Sequence, residues 1–159
     1  MIGNAGDSGR ADKENVPPEM AGAGTDPKLA ALIDEVLLGS PVARALGLAL
    51  EALECGRAVL ALPFRSQNVT VGDIVHGGVI ATLIDVAGVA ATLSGASSEG
   101  FGGCATSALA VSYLAPAKGS ALRAEASTLR RGRRQVVADV SVFAGETLIA
   151  KALATVSLF

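Results

Sequence analysis

The first periodic part of the chain has the pattern of two short helices. Apolar side chains recur at helical spacing over residues 29–37, behind Asp26-Pro27, a pair typical of an N-cap followed by the first helical residue. Ser40-Pro41 opens a second short helical turn over residues 42–46. Both predicted helices precede the first predicted strand.

From Gly47 onward the pattern becomes that of β-strands separated by turn residues. Alternating apolar positions and turn signals such as Gly145-Glu146 predict two strands before a long apolar segment and four after it. Because short turns join the last four strands, we expect them to form an antiparallel meander. The predicted strands are residues 48–54, 57–63, 105–114, 121–129, 135–143 and 147–158, with a polar loop at 65–73 and a Gly/Ser loop at 94–103.

Residues 75–93, VHGGVIATLIDVAGVAATL, are apolar on every side of a helix except at Thr82, Asp85 and a few small residues. Such a helix either spans a membrane or lies at the buried centre of a domain. A carboxylate at the middle of a bilayer costs about 2.5–3.5 kcal/mol, and the flanking strands can wrap the helix instead. The sequence therefore predicts no membrane span. It predicts an α+β hotdog fold, in which an antiparallel sheet of about six strands wraps a long central helix.

Composition divides the chain into a tail and one domain. Residues 1–26 are rich in Gly, Asp, Asn, Pro and Glu, and we expect a disordered N-terminal tail because they cannot bury enough apolar surface to offset the entropy of ordering. Residues 27–159 form the single predicted domain. Hydrophobic residues make up 50% of the chain and charged residues 18%, which predicts apolar surface left over for a partner subunit.

Charge and cysteine content exclude several classes of partner and site. The formal net charge is −2, so no global basic field attracts nucleic acid. A single His and two isolated cysteines, Cys55 and Cys104, exclude zinc-finger and haem-attachment spacings, and no metal or cofactor is expected. The isolated cysteines and the lack of a recognisable signal peptide predict a reducing, cytoplasmic location.

The strongest functional signal is the start of the long helix, where His76-Gly77-Gly78 is followed after six residues by Asp85. This spacing closely resembles the HGG-x6-D signature of hotdog-fold acyl-CoA thioesterases of the phenylacetate-degradation (PaaI-like) type. The segment TSALAVSYLAPA at residues 106–117 is similar to that family's strand after the helix, which ends in a large residue, Leu and Pro. The resemblance covers roughly residues 27–158 and implies hydrolysis of an acyl-CoA to free acid and CoA.

Thioester hydrolysis needs a carboxylate that acts as nucleophile or base, and donors for the oxyanion that develops on the carbonyl. Asp85 is the candidate carboxylate, and Gly77 and Gly78 offer N–H groups at the helix start, where no intrahelical partner exists. At 1.5 Å rise per residue, Asp85 lies about 12 Å from Gly77 along the axis. One helix cannot bring both groups to one carbonyl, so the site is predicted to lie across a dimer interface.

The resemblance implies roles for three further residues. His76 is expected to orient the helix start or contact the carbonyl, and Asn68 resembles the family's upstream Asn near the thioester and the attacking water. The gap from Asn68 to the HGG is longer here, so Asp73 or Thr70 is an alternative occupant of that place. Thr106 falls where the family carries a Ser or Thr that positions water, although an ordinary strand residue explains it equally well.

A run of arginines at a predicted hairpin tip is the second candidate contact with substrate. Such a run is usually solvated surface, but the guanidinium group is suited to grip the 3′-phosphate and pyrophosphate of CoA. Arg131 and Arg133 are therefore candidate substrate-binding residues, with Gly78 at the helix start. The full run is Arg130, Arg131, Arg133 and Arg134 around Gly132.

The sequence alone does not exclude two other functions. A hotdog dehydratase or hydratase uses a His with an acidic partner, and His76 and Asp85 lie about 180° apart around one helix. The pair could meet across a dimer, but the HFPG-type loop of those enzymes is absent. A non-catalytic acyl-CoA-binding module has no need of Asp85. A serine hydrolase is disfavoured because the chain has no G-x-S-x-G motif.

The sequence also predicts an assembly and an acyl preference. A homodimer is the minimum that the site requires, and the family resemblance implies a homotetramer. Small residues on the long helix, among them Ala81, Ala87, Ala90 and Ala91, favour room for a medium or branched acyl group.

Overall fold

A computed structural model describes residues 24–159 and contains three α-helices and eight strands in that part of the chain. The predicted tail, residues 1–26, lies outside the described residues apart from its last three, and its disorder stays a prediction. The elements are α1 (Pro27–Leu32, continued by a π-helical segment Ile33–Leu38), α2 (Pro41–Leu46), β1 (Ala49–Glu54), β2 (Arg57–Leu62), β3 (Val69–Val71), β4 (Ile74–Val75), α3 (Gly77–Ser94), β5 (Cys104–Tyr113), β6 (Leu122–Arg131), β7 (Gln135–Ala144) and β8 (Thr147–Leu158).

The helix starts follow the capping chemistry of the sequence. Asp26 caps α1 by accepting a hydrogen bond from a backbone N–H at 2.9 Å, with Pro27 as the first helical residue, and the Ser40 hydroxyl caps α2. Helix α3 begins two residues later than predicted, because His76 stays extended with φ −63° and ψ 134° and serves as its N-cap. Gly77 is therefore the first helical residue. The predicted polar loop, residues 65–73, contains β3, and β4 follows directly after it; both strands are too short to leave a periodic pattern.

Six strands form one antiparallel sheet in the order β1-β2-β6-β7-β8-β5. The expected meander of the last four strands is wrong for β5, which pairs with β8 rather than with β6. Residues 114–121 are too long for a tight turn, and they fold back along β8 and β4. The N–H of Leu114 donates to the carbonyl of Ile149 at 2.9 Å, and that of Val75 to Ala117 at 2.9 Å. This connection leaves β5 at the edge of the sheet and brings residues 114–117 to the start of α3.

Helix α3 lies on one face of this sheet, as predicted. Its second half, residues 86–94, is entirely buried against β2, β6, β7 and β8. Within residues 24–159 it is the one helix long and apolar enough to span a bilayer, and its burial in the domain accounts for that apolar character. The incompletely buried positions of α3 all lie in its first half: Gly77, Gly78, Val79, Ala81, Thr82 and Asp85.

The helix approaches the sheet closely at Gly88. A Cβ atom at this position would lie 2.8 Å from the Cβ of Ala154 on β8, inside the normal contact distance of two carbons. We expect Gly88→Val to push the helix from the sheet and to lower the free energy of unfolding by about 1–3 kcal/mol. Chemical denaturation of the variant and the wild type measures the difference. An unchanged free energy of unfolding would contradict this description of the packing.

Candidate active site

The start of α3 is held by side chains that leave one backbone donor unused. The Nδ1 atom of His76 accepts a hydrogen bond from the N–H of Gly78 at 2.8 Å, so the neutral ring carries its proton on Nε2. The hydroxyl of Tyr113 donates to the carbonyl of Gly77 at 2.9 Å. These two bonds hold the peptide between Gly77 and Gly78 at both ends. The N–H of Gly77 has no acceptor among the described residues, and at the start of an 18-residue helix it favours negative charge.

Asn68 lies against the same helix start. Its carbonyl accepts a hydrogen bond from the N–H of His76 at 2.8 Å. Its side chain is buried, and the Nδ2 atom has no partner among the described residues. A buried amide without a partner is costly unless a ligand or water completes it. The two alternatives for this place, Thr70 and Asp73, are exposed.

Asp85 and Thr106 form a hydrogen-bonded pair halfway along α3. The hydroxyl of Thr106, on β5, donates to Oδ1 of Asp85 at 2.6 Å, and both residues are half-buried. The other carboxylate oxygen has no donor among residues 24–159 and stays available to react. Thr106 therefore contacts the candidate carboxylate directly, which the spacing along the chain alone did not establish.

Cys104 lies close to this pair but does not compete as a nucleophile. Burial, and to a smaller extent the negative charge of Asp85, raises the pKa of the Cys104 thiol. The thiol therefore stays protonated at neutral pH, whereas the thiolate is the reactive form of cysteine. The carboxylate of Asp85 is the stronger candidate at this position.

The two sets of residues occupy different levels of one helix. We call Asn68, His76, Gly77 and Gly78 the helix-start group, and Asp85 with Thr106 the carboxylate pair. Because α3 is a continuous α-helix, the two sets are separated by about 12 Å along its axis. The fold brings the predicted residues together within each set but does not join the sets in one chain.

The arginine hairpin borders a broad groove at the far end of α3. The groove has a volume of about 1250 Å³ and lies between residues 95–101, the hairpin and residues 157–159. Arg133 and Arg134 line it, are exposed, and have no carboxylate partner among the described residues. Arg131 differs, because its Nη2 atom donates to the carbonyl of Thr92 at 2.5 Å and burial lowers the pKa of its guanidinium. Arg131 thus caps a carbonyl in the last turn of α3, where a positive charge is favoured.

Residues 72–151, half of the chain, match the thioesterase superfamily. The chain belongs to this superfamily. The medium/long-chain acyl-CoA thioesterase YigI of Escherichia coli K12 is 38% identical to it over 131 residues, which cover 72% of this chain and 83% of that protein.

Solved thioesterase structures share the fold. A thioesterase family protein from Silicibacter pomeroyi superposes with a TM-score of 0.77 at 27% identity, covering 82% of this chain and 98% of that one. A mutant of the phenylacetic acid degradation protein PaaI from Thermus thermophilus superposes with a TM-score of 0.68 at 26% identity, covering 76% of this chain and 100% of that one. The predicted PaaI-like hotdog thioesterase is confirmed.

Sequence reasoning missed one member of the site. In the sequence, Tyr113 is only the large residue that ends the family-like strand, yet its hydroxyl donates to the carbonyl of Gly77. Its place directly before Leu114 was the available signal, but a strand pattern alone does not show that residue 113 meets the start of a helix 36 positions earlier.

Proposed function

We propose that this chain hydrolyses medium- or long-chain acyl-CoA thioesters to the free acid and CoA. The observation that carries the proposal is the pair of unused groups on α3: the N–H of Gly77 and one oxygen of Asp85. The first can stabilise a developing oxyanion, and the second can supply an electron pair. The chain-length class follows the name of the relative YigI.

A homodimer completes the site in this proposal. Strand β5 pairs only with β8 within the described residues, so its other edge presents unpaired backbone groups. An exposed edge strand of ten residues is a template for pairing with another chain. Tyr113 is 52% exposed and Leu114 55% exposed at the end of this edge, and such apolar surface favours a partner.

The half-exposed side of α3 supports a particular arrangement of the two copies. The positions facing away from the core include Gly78, Ala81 and Thr82, which are small and allow a second helix to approach closely. Antiparallel packing about a two-fold axis beside Ala81 sets Gly77 of one subunit level with the partner's Asp85, since residue 81 is midway between 77 and 85. The 12 Å between Gly77 and Asp85 of one chain then does not matter, because the two groups that meet one carbonyl come from different subunits.

Each group has a defined task in the proposed reaction. The thioester carbonyl accepts a hydrogen bond from the N–H of Gly77, beside the Nε2–H of His76. Asp85 of the other subunit either attacks the carbonyl carbon or takes a proton from a water that attacks it, with Asn68 and Thr106 holding that water. The tetrahedral intermediate then collapses, the C–S bond breaks, and the CoA thiolate leaves and is protonated. On the water route this releases the free acid directly. On the route of direct attack it leaves an anhydride between the acyl group and Asp85, which a water hydrolyses to the free acid and the restored carboxylate. Two routes thus share one geometry.

The arginine groove is the proposed site for the nucleotide end of CoA. Arg133 and Arg134 offer two guanidinium groups for its phosphates, neither paired with a carboxylate within residues 24–159, and Phe101 and Phe159 line the same groove with apolar surface for the adenine ring. Arg131 stabilises the end of α3 through its bond to the carbonyl of Thr92 and is not free to contact the phosphates. Gly78 contributes by giving its N–H to His76, which fixes the helix start.

We expect the double variant Arg133→Gln/Arg134→Gln to raise KM for acyl-CoA about tenfold or more with little change in kcat, since a hydrogen bond to a charged group contributes about 1.5–3 kcal/mol. The substrate series consists of an acyl-CoA and the matching acyl-pantetheine, which lacks the phosphates. Arg44→Gln, at an exposed position on α2, is the control. An equal effect on both substrates would exclude phosphate contact as the cause.

The two alternative functions are not favoured. A dehydratase needs a His and a carboxylate acting as a pair, but the Nδ1 atom of His76 already accepts from the N–H of Gly78, and the HFPG-type loop of those enzymes is absent from the sequence. A binding module does not explain a carboxylate with a free oxygen beside a strand hydroxyl.

A cytoplasmic location and a homotetramer are also part of the proposal. Cys55 and Cys104 are both free, which suits a reducing compartment. Leu153, on the outer face of β8, is 46% exposed and offers apolar surface on which two dimers can pack. Light scattering on the purified chain measures the assembly.

The function is tested by release of free thiol from short, medium, long and aryl acyl-CoAs, for the wild type and Asp85→Ala together. Turnover of a medium or long acyl-CoA by the wild type, lost in a folded variant, is the expected result. Binding without turnover by either protein would show that the chain is an acyl-CoA-binding module and not an enzyme.

A further inference from the structure

Asp26 connects the start of α1 to the segment that follows α3. Its Oδ1 atom accepts a hydrogen bond from the N–H of Lys28 at 2.9 Å as the cap of α1, and its Oδ2 atom accepts from the N–H of Ser98 at 2.8 Å. Hydrogen bonding by Ser98, first through its hydroxyl and then through its N–H, lowers the pKa of Asp26. The carboxylate is therefore charged at neutral pH, and its contact with Ser98 is charge-assisted.

The segment between α3 and β5, residues 95–103, forms one wall of the arginine groove, and we call it the groove loop. Ser97, Glu99 and Phe101 of this loop line the groove, whereas Ser98 and Asp26 do not. Asp26 therefore contacts the groove loop from outside the groove. A ligand in the groove would meet the loop that Asp26 holds and not Asp26 itself.

Hydrogen bonds fix both ends of the groove loop. At its start the N–H of Ala96 donates to the last turn of α3 at 3.0 Å, and at its end the N–H of Gly102 donates to the carbonyl of Phe159 at 2.7 Å. Within residues 24–159, the middle of the loop, residues 97–100, hydrogen-bonds to no other element than the cap of α1, Asp26. Four of the nine loop residues are glycine, which loses more conformational entropy on ordering than any other residue. Without Asp26 we therefore expect this wall of the groove to adopt several conformations.

We propose that Asp26 is a positioning residue for the nucleotide end of CoA, because its carboxylate holds the groove loop in the conformation that lines the arginine groove. The inference rests on the proposed function, which assigns this groove to CoA. With the loop held, Phe101 lies beside the groove before the substrate binds. Without Asp26, binding has to order the loop, and the apparent affinity falls by the fraction of molecules in which the loop is in place.

The charge of Asp26 has the opposite effect on CoA binding. CoA is an anion, so the loss of a carboxylate near its site favours binding by electrostatics alone. Loss of the contact with Ser98 weakens binding. The sign of the change in KM therefore distinguishes the position of the loop from the charge.

The test variant is Asp26→Ser, because serine still caps α1 but has a single side-chain oxygen and cannot also accept from Ser98. We expect KM for acyl-CoA to rise about fivefold with kcat unchanged, the factor for a loop that is in place in a fifth of the molecules. KM for the matching acyl-pantetheine is expected to stay the same, since that substrate lacks the nucleotide. Asp34→Ser removes an exposed carboxylate just after α1 and is the matched control, with both KM values unchanged.

Two measurements examine the same contact without turnover. Hydrogen exchange of backbone amides is expected to be faster over residues 97–101 in Asp26→Ser and unchanged in α3, where the hydrogen bonds of the helix are intact. Calorimetric titration with free CoA is expected to show binding about fivefold weaker than in the wild type.

Several results would overturn the role of Asp26. One is unchanged exchange in the groove loop, and another is an unchanged or lower KM for acyl-CoA. An equal rise in KM for both substrates would place the effect at the thioester and not at the nucleotide. These results leave the thioesterase function standing. A wild-type chain that turns over no acyl-CoA would overturn that function, and the titration with CoA would then decide the role of Asp26, which a chain that binds no CoA would contradict.

Discussion

Asp85→Asn is expected to lower kcat for acyl-CoA hydrolysis by about 10²–10⁴-fold, the range that a positioned general base contributes. The amide matches the carboxylate in size and keeps an oxygen that can accept from the hydroxyl of Thr106, so the fold is expected to stay intact. It has no negative charge with which to attack a carbonyl or take a proton from water. Steady-state thiol release, with circular dichroism to check folding, measures the effect.

Asp139→Asn is the matched control for this variant. Asp139, on β7, is half-buried like Asp85, but it pairs with Lys151 on the outer face of the sheet. We expect its kcat to stay within about twofold of the wild type, as for surface ion pairs of little energetic weight. If Asp85→Asn and Asp139→Asn had the same activity, Asp85 would be a structural carboxylate.

Gly77→Pro is expected to have the second largest effect, a fall in kcat of about 10²–10³-fold, the usual cost of losing one oxyanion donor. Proline removes the N–H and is accepted at the first position of a helix. The preceding residue, His76, already has the extended φ and ψ that a following proline requires. The variant therefore removes a donor without breaking the helix.

Gly77→Ala separates the loss of the donor from the added bulk. An alanine keeps the N–H, and its Cβ would lie 3.5 Å from the ring of Tyr113, an ordinary contact. We expect Gly77→Ala to keep most of the wild-type kcat. Equal losses in the two variants would mean that space at residue 77, and not its N–H, matters for the reaction.

The central helix and the order of elements were predictable because both depend on local sequence. Residues 75–93 are apolar around the whole helix, which indicates burial in a membrane or in a domain. The single carboxylate among them disfavours the membrane. The pairing of β5 was not predictable in the same way. Alternation along Cys104–Tyr113 shows which face of a strand is buried, but it does not tell which strand lies beside it.

The candidate site also has features that local sequence predicts and features that only the tertiary fold determines. The HGG-x6-D spacing marked Gly77 and Asp85, because a helix start and a helical rise follow from local sequence. The four arginines, however, look alike in the sequence. Only the fold shows that Arg131 turns to the carbonyl of Thr92, 39 positions away, while Arg133 and Arg134 stay at the groove. Side-chain direction at the end of a strand depends on the tertiary neighbours, which no local pattern specifies.

The most direct test of a site shared between subunits is the activity of a mixed dimer. Asp85→Asn and Gly77→Pro chains carrying different affinity tags are coexpressed, and the dimers that hold both tags are isolated. One of the two sites in such a dimer carries both substitutions, and the other pairs an intact Gly77 with an intact Asp85. We predict about half of the wild-type kcat per dimer, because each site spans the two-fold axis. A mixed dimer as inactive as its two parents would show that each subunit uses its own Gly77 and Asp85, and would contradict the account.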